Sequence, residues 1–267
     1  MNILIKPTVN IEILAMNKMY IAPVILMSAP LLITTPCLAQ SDADSSKEKN
    51  TFSGDAELGV TITTGNTETT SVKARLDIDH NWRNWENQYL IETLYKKDTG
   101  EVTGKRYLSR VQGNYQLSAV NYIFVTANHE ADPFTGFTST STISSGYGHK
   151  FINNDKTEFS IEAGPAYKFR RLDDESAAEA GYDTDNTWLA YGVMNYERKI
   201  STSSKFKQML IAEYGDVFEA RSETSITASI IDALAMKFSV IVRYNNTPLD
   251  NKESTDTETN MTLLYTF

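Results

Sequence analysis

The chain has 267 residues, a formal net charge of −9, 41% hydrophobic and 10% aromatic residues, and a mean hydropathy of −0.35. An acidic chain with no basic cluster interleaved with aromatics does not suit a phosphate backbone, so nucleic acid is not expected as a partner. Past the leader, no stretch holds the ~20 consecutive apolar residues of a membrane helix; a transmembrane barrel passes that test because its strands alternate.

In chain order, the first element is a targeting segment. Lys18 precedes a mainly apolar run from Met19 to Ile33, broken by Pro23 and Pro30, and Cys37-Leu38-Ala39 sets small residues where a signal peptidase reads. A signal peptide over residues 1–39 is expected, cleaved between Ala39 and Gln40, with Met16 as the natural start. Cys37 is the single cysteine, and Thr35-Pro36 before it argues against acylation. The mature chain then has no disulfide, thiolate metal site or thiol nucleophile, which suits an oxidising compartment. Residues 40–51 are polar, charged and aperiodic, a short disordered lead-in.

From Phe52 onward the chain alternates with period two, and no helical periodicity is evident. In the first segment Ala56, Leu58, Val60 and Ile62 oppose Asp55, Glu57, Gly59 and Thr61, and Thr63–Thr67 makes a hairpin turn. In the second, Val72, Ala74, Leu76 and Ile78 oppose Lys73, Arg75, Asp77 and Asp79. The seventh sets Phe159, Ile161, Ala163, Tyr167 and Phe169 against Glu158, Ser160, Glu162, Lys168 and Arg170. In the eleventh, Phe238, Val240, Val242 and Tyr244 oppose Lys237, Ser239 and Arg243, with Ile241 an exception. About twelve strands are predicted, near 52–63, 67–81, 86–97, 104–117, 120–130, 138–150, 156–171, 184–197, 204–215, 221–231, 235–246 and 256–267. Strands of ~9–15 residues exceed the usual ~5–6 and suit tilted strands crossing a bilayer.

The last strand places Met261, Leu263, Tyr265 and Phe267 on one face, and Glu258, Asn260, Thr262 and Thr266 on the other, with Leu264 an apolar intruder. Tyr265 and the terminal Phe267 resemble the insertion signal of bacterial outer-membrane barrels, which makes the barrel-assembly machinery an expected partner. Aromatics bracket several apolar faces: Tyr107 and Tyr115, Trp188 and Tyr196, Phe206 and Tyr214, Phe238 and Tyr244. Eight residues of strand rise roughly 20 Å at ~40° tilt, close to the apolar band between aromatic girdles. Longer connections are expected on the outer side, at Asp98–Thr103, Glu130–Phe137, Leu172–Asp183 and Asn246–Thr255, with shorter turns on the inner side. These features favour a single all-β antiparallel transmembrane barrel over a soluble periplasmic sandwich.

The stretch AELGVTITTGNTETTSVKARLD (56–77), with IEAGPAYKFR (161–170), EYGD (213–216), RSETSITASI (221–230) and TDTETNMTLLYTF (255–267), resembles the YdiY-like family of salt-induced outer-membrane proteins, a domain of unknown function. The resemblance covers roughly 52–267. It implies an outer-membrane barrel with a stress-associated role and supplies no catalytic residues.

The functional surface is then the barrel interior. Its expected inward residues are Lys73, Arg75, Asp77, Asp79, Arg106, Arg110, Glu158, Glu162, Lys168, Arg170, Lys237 and Arg243, joined by Glu57, Glu92, Glu223 and Glu258. Mixed signs on one surface fit either ionic networks that fill the interior or a narrow pore for small solutes; twelve strands fall between filled and channel-bearing barrels. Asp77 and Asp79 invite comparison with paired glycosidase carboxylates, but Lys73 and Arg75 beside them favour ion pairing. His129-Glu130-Ala131-Asp132 is the one rim cluster with acid–base potential, the basis of an alternative reading as a rim enzyme acting on lipid or peptide. His80 and His149 fall at the opposite ends of their strands. The acidic run Asp173-Asp174-Glu175…Glu179…Asp183-Thr184-Asp185 has carboxylates for a hard cation but not calcium-loop spacing. No enzyme activity, cofactor or metal is expected; the expected partners are outer-membrane lipid and small solutes.

Overall fold

The computed structural model describes residues 50–63, 69–248 and 253–267, with the backbone alone at 61–63 and 69. The leader, most of the lead-in and the 64–68 turn lie outside the described residues. Twelve strands follow one another: β1 (Thr51–Thr63), β2 (Thr69–Trp82), β3 (Trp85–Asp98), β4 (Glu101–Gln116), β5 (Asn121–Asp132), β6 (Phe137–Asn153), β7 (Thr157–Leu172), β8 (Thr184–Lys199), β9 (Ser204–Tyr214), β10 (Phe218–Ile231), β11 (Leu234–Asn245) and β12 (Thr255–Thr266). Each pairs antiparallel with the next, and β12 returns to β1 to close a barrel. The strands run from 11 residues in β9 to 17 in β6.

Alternation becomes register here. β1 and β2 pair without a shift from Thr51↔Asn81 to Thr63↔Thr69, setting Glu57 beside Arg75. The closing seam is shorter, from Asp55↔Thr266 to Leu58↔Leu263, and is extended by two backbone hydrogen bonds between Gly54 and Phe267. Closure leaves no unpaired strand edge, the condition for sheet in hydrocarbon.

The exterior is apolar. Leu58, Val60, Ile91, Val111, Ile143 and Met261 stand exposed around the wall while Glu57, Glu92, Arg106 and Lys237 are buried inside. That inverts a water-soluble protein, and an apolar belt of this extent is sustained by lipid. Aromatic rings meet near both ends of the wall. Trp85 and Tyr115 stand 5.2 Å apart and Tyr196 lies between Phe159 and Phe206 toward one end; Tyr167 meets Phe169 and Trp188 toward the other. The chain is a transmembrane β-barrel.

Connections depart from expectation in two places. Asp98–Thr103 is not a loop: Thr99 and Gly100, at φ 48° and 90°, make a two-residue hairpin turn. The acidic run 173–183 contains a short helix, α1 (Asp174–Ala180), where no helical pattern was read; seven residues are too few to show one. Its carboxylates have a structural use. The Asp173 side chain accepts a 2.8 Å hydrogen bond from the Ser176 amide, Asp174 and Glu175 sit in the first turn, and Gly181 closes the helix at φ 79°.

Candidate functional site

The inner wall is divided into an ionic and an apolar part. The ionic part is built mainly from β1–β4 and β10–β12, whose inward positions include Glu57, Lys73, Glu92, Arg106, Glu223 and Lys237. Glu92, 1% exposed, accepts from Arg106 Nη2 at 2.7 Å and stands 3.4 Å from Arg75 Nη1 and 3.6 Å from Lys73 Nζ. Glu258 reaches across from β12 to Lys73 at 2.9 Å, Arg106 at 3.0 Å and Arg243 at 3.2 Å. Glu223 is shared by Arg75 at 3.4 Å, Arg221 at 3.3 Å and Lys237 at 3.6 Å, and Lys237 also reaches Glu57 at 2.8 Å. A second cluster joins Lys168 to Glu213 and Glu219 and Arg170 to Glu219 at 3.0 Å and Asp185 at 3.1 Å. A bare charge enclosed by a lipid-surrounded wall is costly, so each of these cations is held with a carboxylate.

The middle of β5 and β7–β9 carries an apolar patch inside, between their charged ends. Tyr122, Phe124, Ala166, Leu189, Tyr191, Val193 and Ile211 form one buried cluster, with Met209 packed against it. Gly148 makes room for it, because a Cβ there would meet the Tyr122 ring at 2.2 Å. Alternation alone did not assign these residues inward. The available signal was that Tyr122-Ile123-Phe124-Val125 and Trp188–Met194 are apolar on both faces, as a strand must be when lipid lies on one side and core on the other. Ile241 and Leu264, exceptions on otherwise polar faces, are likewise buried inside.

Two cavities enter this interior from opposite ends. The outer, about 330 Å³, is bounded by Phe134, Thr135, Pro248, Glu253 and Ser254 and lined by Leu108, Glu130, Lys168, Arg170, Ile211 and Arg243 among others. The inner, about 930 Å³, opens beside Ser201–Ser203 and Asp232 and is lined by Asp77, Asp79, Glu158, Glu162 and Lys207 among others. Arg110 and Tyr191 line both, so these two side chains stand between the cavities.

The residues singled out from sequence fall into distinct groups. Lys73, Arg75, Arg106, Lys237 and Arg243 belong to the central network, and Lys168 and Arg170 to the second cluster. Asp77, Asp79, Glu158 and Glu162 line the inner cavity, and Asp77 also pairs with Arg75 at 3.2 Å. Glu162 lies within the field of Arg110 without an ion pair to it; its Oε1 accepts from the Tyr122 hydroxyl at 2.9 Å and Gln112 Nε2 at 3.0 Å. Tyr265 and Phe267 are exposed on the outer surface, rings 6.4 Å apart.

The rim cluster does not assemble. His129 bonds Ser141 at 2.8 Å on the exposed face of the wall, while Glu130, the next residue along the strand, lines the outer cavity. His80 stacks on Phe52 at 4.1 Å, and His149 bonds Asn121 at 2.6 Å. Among the described residues no three His, Cys, Asp or Glu side chains gather as a metal-holding group.

Comparison with known proteins gives relatives without an assigned activity. The chain is 22% identical over 259 residues to the "Uncharacterized protein YdiY" of Escherichia coli (strain K12), spanning 94% of this chain and 99% of that one. Among solved structures it is similar to the NanC porin, at 7% identity over 80% of this chain and 98% of that one, with a TM-score of 0.49. It is also similar to an outer membrane channel from Pseudomonas putida F1, at 9% identity over 85% and 100% of the two chains, with a TM-score of 0.46. The family model described as "Protein of unknown function, DUF481" matches residues 56–267. That match takes in the barrel from the middle of β1 to its last residue, and the chain belongs to this family.

Proposed function

We propose that this chain is an outer-membrane barrel offering a narrow, water-filled path for small solutes, walled by its own ion pairs. The observation that carries the reading is that cavities entering from opposite ends share Arg110 and Tyr191 as a common wall. An interior designed only as filler has no need of openings from both ends that converge on one level. The paired charges act as a rigid wall: held to one another across strands, they leave polar edges on the cavities without collapsing into them. The export leader over 1–39, docking of the Tyr265–Phe267 strand on the assembly machinery and a salt-associated role belong to the same reading. On this reading the protein acts without catalysis: His80, His129 and His149 stand on separate partners, Phe52, Ser141 and Asn121.

A second reading is a sealed, load-carrying envelope barrel. The density of ion pairs around Glu92, Glu223 and Glu258 favours it. Planar-bilayer recording of the refolded protein separates the two: the path predicts small, discrete conductance steps. A silent bilayer across varied salts, with the protein shown to be inserted, would leave the sealed barrel.

A further inference from the structure

We propose that Arg110 anchors a binding site for a small organic anion, a carboxylate with an apolar body, between the two cavities. The proposal rests on the path reading only for how the solute reaches the site.

Arg110 differs from the other arginines of the inner wall. Arg75, Arg106, Arg170, Arg221 and Arg243 each meet at least one carboxylate. Among the described residues no carboxylate oxygen lies within 4.0 Å of Arg110. Its Nε donates to Asn128 Oδ1 at 2.6 Å, and its Nη1 reaches only the Met209 sulfur at 3.9 Å. Asn128 therefore fixes the plane of the guanidinium, while the paired Nη edge that would grip a carboxylate keeps no oxygen partner in the protein.

Charge nearby does not answer this demand. Glu223 and Glu162 attract Arg110, and Arg75 and Arg221 repel it; Glu223 is already divided among Arg75, Arg221 and Lys237, and Glu162 turns an oxygen to Tyr122 and Gln112 without reaching the guanidinium. In the outer cavity Glu213 and Glu219 are held by Lys168, and Glu130 lines the wall without reaching Arg110. An unpaired cation with two cations beside it is a seat for an anion from outside.

The walls around that seat specify the rest. Leu108, Ile211, Phe134, Phe137 and Tyr191 line the outer cavity with Arg110. A strongly hydrated inorganic anion would have to shed water against these surfaces with nothing returned. A carboxylate carrying a short hydrocarbon body covers them while its head meets the guanidinium. A cavity of about 330 Å³ falls at the small end of known ligand pockets, roughly 300–1,000 Å³.

The test is isothermal titration of the refolded barrel with hexanoate, hexylamine and sodium chloride at matched ionic strength, on the wild type and on Arg110→Gln. The expected result is saturable hexanoate binding that weakens about tenfold or more in Arg110→Gln, the scale of one hydrogen-bonded charge, with no saturable signal from hexylamine or chloride. Unchanged hexanoate affinity in Arg110→Gln, or hexylamine binding as tight as hexanoate, would overturn the site, as would absence of hexanoate binding. The wild-type comparison of hexanoate with hexylamine decides the matter if Arg110→Gln does not fold. Conductance without hexanoate binding would leave the path and remove this site; binding without conductance would do the reverse.

Discussion

Gly54 and Phe267 exchange both backbone hydrogen bonds, at 3.0 and 2.9 Å, across the closing seam of the barrel. A Cβ on Gly54 would stand 2.7 Å from the Phe267 ring. The terminal aromatic therefore lies on the bare backbone of the first strand, at the shortest pairing in the barrel. Gly54→Val should displace the ring and loosen this seam by about 1–3 kcal/mol, the usual cost of forcing extra bulk into a filled site. Heat-modifiable gel migration reads it: the variant should lose its folded band at a lower temperature than the wild type. An unchanged melting temperature would mean the ring has another seat.

Gly146 and Gly164 face each other between β6 and β7. A Cβ on Gly146 would lie 2.2 Å from the Ala163 carbonyl oxygen, and one on Gly164 would lie 2.1 Å from that of Ser145. These are backbone atoms and have no rotamer by which to yield. Gly164→Ala should destabilise the folded barrel by at least about 1–3 kcal/mol in urea titration. Gly192→Ala is the control, since its nearest neighbour would be 3.8 Å away; it should change stability by less than about 0.5 kcal/mol. Equal effects would contradict the close approach.

Glu92 is the hub of the central network, with Lys73, Arg75 and Arg106 around it. Removing it in Glu92→Ala strands those cations in the interior and should cost about 3–5 kcal/mol. Glu197→Ala removes a partner from the partly exposed Lys205–Glu197 pair at 3.4 Å and should cost no more than about 1 kcal/mol. Denaturant unfolding of both variants in the same vesicles checks the ranking, and a Glu92→Ala barrel as stable as wild type would refute it.

Asp173 caps α1 through the Ser176 amide. Asp173→Ala should lower the local stability of 174–180 by about 1 kcal/mol and leave the barrel unchanged. Amide exchange localises the effect: faster exchange confined to this helix is expected, and unaltered exchange there would exclude the capping role.

Much of this architecture was legible because period two is a strong signal when it persists. The strictly alternating β2, with Lys73 to Asp79 on one face, leaves its two faces distinguishable by composition alone, and its neighbours follow by hairpin connection. Three features were not legible. Tyr122 and Phe124 share a strand with Ile123 and Val125, so an apolar interior and a lipid-facing exterior look alike in β5. Helix α1 is too short to display a period. The glycine contacts join Gly54 to Phe267 and Gly146 to Gly164, and alternation reports a face without reporting how closely another strand approaches it. For the candidate site, charge placed Arg110 on the inner wall with fifteen other residues. What separates it, the want of a carboxylate among inner-wall arginines that otherwise each have one, depends on distances across the barrel.

The central claim is that the outer wall meets lipid while the charged inner wall does not. Residues 40–267 contain no cysteine, so in that span single cysteines can be placed at Ile91, Ile143 and Asn195 and labelled with a small fluorophore. In vesicles containing brominated lipid, labels at the exposed Ile91 and Ile143 should be strongly quenched, and the label at Asn195, which lines the inner cavity, should not. Equal quenching at all three, or none at Ile91 and Ile143, would contradict a lipid-facing barrel.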